Sequence, residues 1–121
     1  MIVVDASAVL ELLLRTAKAA ALDSLLLAGQ QRLHAPHLLD VEIAQTLRRL
    51  QLAGDITPHR ATQALEDFRA ILIERHGHTD LLGRAWQLRE AITAYDSMYV
   101  ALAEGLDAPL VTCDARLARA H

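Results

Sequence analysis

Ile2-Val3-Val4 stops at Asp5 and a helical pattern opens at Ala6. Leu110-Val111-Thr112-Cys113 stops at Asp114 and another opens at Ala115. This strand-to-helix junction, met near both ends of the chain, constrains the fold more than any other feature. Short strands that alternate with helices imply an α/β fold with a parallel sheet covered on both faces. Between the junctions the pattern predicts helices over 6–14 and 17–28, the second closed by Gly29, and a strand over 33–35 ahead of Pro36. A helix over 37–53 closed by Gly54 follows. Thr57 as N-cap with Pro58 at the first helical position then opens a helix over 58–70. A strand over 71–73, helices over 79–91 and 93–106, a strand over 109–112 and a last helix after Asp114 complete the expected order.

At 121 residues the chain is expected to be one domain, 1–121, with a single core. Hydrophobic residues make up 53%, and with only one Trp, one Phe and two Tyr this favours helices around an aliphatic core. Asp5, Glu11, Asp23 and Asp40 interrupt the apolar stretches, so no membrane span is expected. The opening Met1-Ile2-Val3-Val4-Asp5 lacks a basic leader region, and the lone Cys113 suits a reducing compartment, so a cytoplasmic protein is expected. Cys113 closes an apolar run and reads as a small buried hydrophobe. A formal charge of −3 excludes a general nucleic-acid coating protein, so any polyanion has to be bound locally. Arg15, Lys18, Arg116 and Arg119 are the basic residues expected to flank such a cleft, with a solvated face as the favoured alternative for any single one.

Acids on a solvated helix usually have a basic residue three or four positions away, as Asp80 has Arg84 and Glu66 has Arg69. Asp5, Glu42, Asp96 and Asp114 have none. Asp5 and Asp114 stand at carboxyl ends of predicted strands, where open parallel sheets hold their ligands, although each also reads as an N-cap. Asp96 follows Thr93 by three residues and fits the acidic arm of a capping box. On a helical wheel it borders a stripe of Tyr95, Tyr99, Leu102 and Leu106, with Ser97 and Glu104 facing away. Glu42 lies inside a helix whose core stripe is Leu39, Ile43, Leu47 and Leu50, where no cap accounts for it. Four such carboxylates brought together would repel one another unless cations neutralised them, and an all-oxygen set selects Mg²⁺ or Mn²⁺ over structural zinc. Ser7 and Thr112, each two residues from an acid, are candidates to hydrogen-bond the carboxylates, and equally simple caps. No two histidines stand at i, i+4 on a clear helix face, so His34, His37, His59, His76, His78 and His121 read as surface or loop residues.

The segments VVDASAVLELLL, HAPHLLDVEIAQTLRRL and TAYDSMYVALAEGLDAPLVTCDARLARA together resemble the PIN-domain ribonucleases, and closely the VapC toxins of prokaryotic toxin–antitoxin pairs. The resemblance covers nearly the whole chain. It implies a metal-dependent endoribonuclease with Asp5 and Asp96 as the most direct metal ligands, and with Glu42 and Asp114 completing the site. It further implies a VapB-like antitoxin, an apolar groove near Leu22, Leu25, Leu26 and Leu27 to receive it, and a homodimer. Members commonly continue past the last helix to a final edge strand, before which this chain stops. A receiver-type phosphorylation domain would need a late lysine, and Lys18 is the only lysine. A phosphatase of the aspartyl-phosphate type would need an acid where Ser7 stands. The remaining rival is a PIN-like scaffold that has lost catalysis and serves as a binding module.

Overall fold

The computed structural model describes residues 1–120, so the expectation for His121 lies outside the described residues. Strands β1 (Ile2–Val4), β2 (Leu33–Pro36), β3 (Ile73–His76) and β4 (Leu110–Val111) pair in parallel in the order β3-β2-β1-β4. The helices are α1 (Ala6–Leu13), α2 (Ala19–Leu22), α3 (Leu38–Leu52), α4 (Pro58–Ala70), α5 (Leu82–Gln87), α6 (Ala94–Leu106) and α7 (Ala115–Ala120). This is the α/β architecture that the junctions imply. No described helix is long and apolar enough to cross a membrane.

Successive residues of a strand point to opposite faces of the sheet, and β1 divides the molecule accordingly. Ile2 and Val4 join Leu33, Ala35 and Ile73 in the larger core, under Val9 and Leu12 of α1, Ile43 and Leu47 of α3, and Phe68 of α4. Val3 points the other way, onto Tyr99, Leu102 and Ala103 of α6. The chain runs outward from β1 to β3 and later returns to place β4 on the opposite side of β1. The carboxyl ends of β1 and β4 therefore flank the crevice where strand order reverses, the position at which open parallel sheets bind ligands.

Several boundaries differ from expectation. The helix expected over 17–28 is only α2 followed by a π-helical turn, Asp23–Leu27, and this wider turn buries Leu22 and Leu26 while leaving Leu25 and Leu27 each 46% exposed. The third strand is displaced from 71–73 to Ile73–His76, because pairing with β2 sets its register at Leu33 with Ile73. The apolar Leu72 is left 91% exposed. The helix expected over 79–91 is a 3₁₀ turn, Thr79–Leu81, and the short α5. On α6 two orientations are reversed: Ser97 is fully buried and Tyr95 is exposed. The helix is wedged between the sheet and α5, and the Ser97 hydroxyl donates to the Thr93 carbonyl at 2.8 Å, which removes most of the cost of burying it. Arg84 turns away from Asp80 and pairs with Glu104 of α6 at 2.8 Å.

His34 is buried, contrary to the surface reading, because β2 is an interior strand and its register with Val3 puts the ring on the α6 face. Burial pushes its pKa down. Cys113 is half-buried against the larger core, and that burial pushes its thiol up.

Candidate active site

Asp5 is buried at the end of β1, where it caps α1 by accepting a hydrogen bond from the Ala8 amide at 3.0 Å. The same carboxylate serves other donors. Ser7 Oγ donates to Oδ1 at 2.8 Å and Thr112 Oγ1 donates to Oδ2 at 2.5 Å, while the two hydroxyls are 3.2 Å apart. The Cys113 amide donates to Ser7 Oγ and the Asp114 amide to Thr112 Oγ1, so the end of β4 is tied to the start of α1 through these two side chains. The cap reading and the site reading of Asp5 thus describe one carboxylate.

Asp114 accepts from the Arg116 and Leu117 amides and starts α7. Thr93 Oγ1 accepts from the Asp96 amide at 3.1 Å, fixing the first turn of α6, which carries Asp96. Glu42 projects from the middle of α3 and accepts a 2.5 Å hydrogen bond from the Tyr99 hydroxyl of α6. Four elements distant in sequence thus deliver Asp5, Glu42, Asp96 and Asp114 to the wall of one cavity of about 220 Å³, together with Ser7 and Tyr99.

Electrostatics follow from this placement. The Asp5 carboxyl lies above the usual aspartate range because burial outweighs its three hydrogen bonds, with the charge of Asp114 adding to the rise. Glu42 is raised first by burial and then by Asp96 and Asp5, against the lowering effect of the Tyr99 hydroxyl. Asp96 is raised by burial, Asp114 and Asp5. Burial and the neighbouring acids raise Tyr99 far above an ordinary phenol, so it stays a donor. Carboxylates that hold protons this way favour a counter-cation, and hard oxygen donors suit Mg²⁺ or Mn²⁺.

A second cavity of about 530 Å³ shares Asp96 and is walled by Arg89, Arg116 and Arg119. Two of the four expected basic residues therefore reach the cleft. Arg15 is drawn off to Asp23 at 2.9 Å and Lys18 lies near Cys113. Arg89 here and Arg49 in the acidic cavity escaped sequence reasoning; neither carries a motif, and only the tertiary fold brings them beside the acids.

The chain matches the PIN domain family over residues 2–121. Ribonuclease VapC9 of Mycobacterium tuberculosis is 44% identical over 117 residues, an alignment that covers 97% of this chain and 88% of that protein. Ribonuclease VapC1 of the same organism is 43% identical over 120 residues, covering 98% and 89%. The crystal structure of M. tuberculosis VapC20, a toxin that cleaves the sarcin–ricin loop, superposes with a TM-score of 0.70. That superposition covers 99% of this chain and 95% of VapC20 at 15% identity, a likeness of fold.

Proposed function

The chain belongs to the PIN-domain family, and we propose that it is a metal-dependent endoribonuclease, a VapC-type toxin held in check by a VapB-like antitoxin. The observation that carries this reading is the meeting of Asp5, Glu42, Asp96 and Asp114 on one cavity at the topological switch point, beside an arginine-lined cavity that shares Asp96. In this reading Asp5 and Asp96 are the direct ligands of Mg²⁺ or Mn²⁺, with Glu42 and Asp114 completing the site. When bound, such an ion acidifies a water and offsets charge on the phosphodiester. The chain's own residues do the rest. Ser7 and Thr112 hold the Asp5 carboxylate in one orientation, Tyr99 does the same for Glu42, and Arg89, Arg116 and Arg119 offer cationic forks to the phosphates of an RNA strand.

The exposed Leu25 and Leu27 supply apolar surface that supports antitoxin docking, and Leu82 and Trp86, more than half exposed, supply surface that supports a homodimer. The decisive experiment incubates the purified chain with single-stranded RNA in Mg²⁺, in Mn²⁺ and in chelator. Cleavage is expected only with metal. Asp5→Asn and Asp96→Asn are expected to lower it by at least about 100-fold, the scale on which loss of a charge-stabilising group acts, with folding retained by circular dichroism. No metal-dependent cleavage by the wild type would favour the non-catalytic binding module instead.

A further inference from the structure

Three metal-ligating side chains meet on the opposite flank of the sheet from β4. His34 of β2 is in register with Glu74 of β3, and His76 follows two residues later, so all three stand on one face. Their ligand atoms all lie within 4.8 Å of one another, the one such group among the described residues. His34 Nδ1 is 2.9 Å from His76 Nε2 and 3.5 Å from Glu74 Oε2.

We propose that His34 Nδ1, His76 Nε2 and a Glu74 carboxylate oxygen form a binding site for a divalent transition-metal ion of the Zn²⁺ class, separate from the four acids. Around an ion with bonds of about 2.05 Å, the two measured separations subtend about 90° and about 117°, on either side of the tetrahedral angle. Two imidazoles and one carboxylate form a borderline set that selects Zn²⁺, Co²⁺ or Ni²⁺ over the hard Mg²⁺, and three protein ligands leave a fourth position for water. Access is from solvent, since β3 is an edge strand and the Glu74 side chain is 64% exposed, whereas His34 at 5% is fixed by packing.

Without an ion the two rings share one hydrogen bond between the same nitrogens, and binding needs both bare, so the donor ring's proton moves to its other nitrogen. His34 Nε2, the ring nitrogen not offered to the ion, has no hydrogen-bond partner. An ion here would clip the edge strand β3 to β2. It would act on β2 and β3, on the side of β1 away from β4.

The test measures Zn²⁺ binding by competition with a chromophoric chelator, and Co²⁺ binding by its visible absorption. Both use the full chain and its Asp96→Asn, His76→Ala and Glu74→Gln variants. With excess Mg²⁺ present to fill the four-acid site, wild type and Asp96→Asn are expected to bind one tight Zn²⁺ equivalent with the same affinity and to show a tetrahedral Co²⁺ spectrum. His76→Ala and Glu74→Gln are expected to weaken binding by more than the roughly 10- to 100-fold that loss of an outer-shell partner costs. If His76→Ala does not fold, Glu74→Gln carries the test, because its side chain is exposed. Equal affinity in wild type and Glu74→Gln, or loss of binding in Asp96→Asn, overturns the proposal. Neither readout depends on RNA cleavage, so this site and the nuclease reading fail separately.

Discussion

Glu42 is the acid that no helix cap explains, and its environment shows why a mid-helix carboxylate is tolerated there. It is half-buried, and the Tyr99 hydroxyl, itself on a buried ring, satisfies one of its oxygens. The balance is between burial, which favours the protonated acid, and this hydrogen bond, which favours the carboxylate. Tyr99→Phe keeps the ring and removes the donor. It is expected to move the Glu42 titration further up, followed by carboxyl NMR, and to cost about 1 kcal/mol in denaturant unfolding. A Glu42 titration unchanged in Tyr99→Phe would show that the contact does not govern its charge. Asp5 is held differently, by three donors at once, so deleting one of them perturbs it less.

Two helix starts carry the same threonine cap with different consequences. Thr57 caps α4, which packs on the far side of the larger core, whereas Thr93 caps α6, whose first turn carries Asp96. Thr57→Ala and Thr93→Ala are each expected to cost about 1 kcal/mol of stability in chemical denaturation. Only Thr93→Ala is expected to reduce metal-dependent RNA cleavage; equal activity in both variants would separate the cap from the site. Caps, prolines and β-branched runs are local signals, which is why β1, α3, α4 and α6 could be placed from sequence within a residue or so of their observed bounds. That the four acids line one cavity could be anticipated for the same reason, since each stands at such a boundary or conspicuously lacks one. What sequence missed depends on pairing across the fold. The register of β3 was set by β2 and not by the apolar Ile71 and Leu72. Arg84 answers Glu104 and not Asp80, and His34 meets Glu74 and His76 only because two strands lie side by side.

The sheet gathers its acids at one end, and the whole molecule bears the consequence. Asp5, Glu42 and Asp96 all titrate above their ordinary 3.8, 4.5 and 3.8, chiefly because the fold buries them and sets them near one another. A raised carboxyl pKa means that the folded state binds more protons than the unfolded chain over the interval between the two values. Its stabilising contribution is therefore complete below the unfolded-state pKa and is lost as pH rises through the folded one. Without divalent ions, the wild type is expected to lose stability, as pH rises from the ordinary carboxyl values through the raised ones, relative to Asp96→Asn, which removes one of the mutually repelling charges. Thermal unfolding in chelator across that interval measures the difference. Added Mg²⁺ or Mn²⁺ should then raise the wild-type midpoint at neutral pH and leave Asp96→Asn nearly unmoved, since an ion that binds only the folded state stabilises in proportion to its occupancy. An Asp96→Asn protein less stable than the wild type at neutral pH in chelator would mean that the carboxylate contributes more as an acid in the first turn of α6 than it costs as a crowded charge.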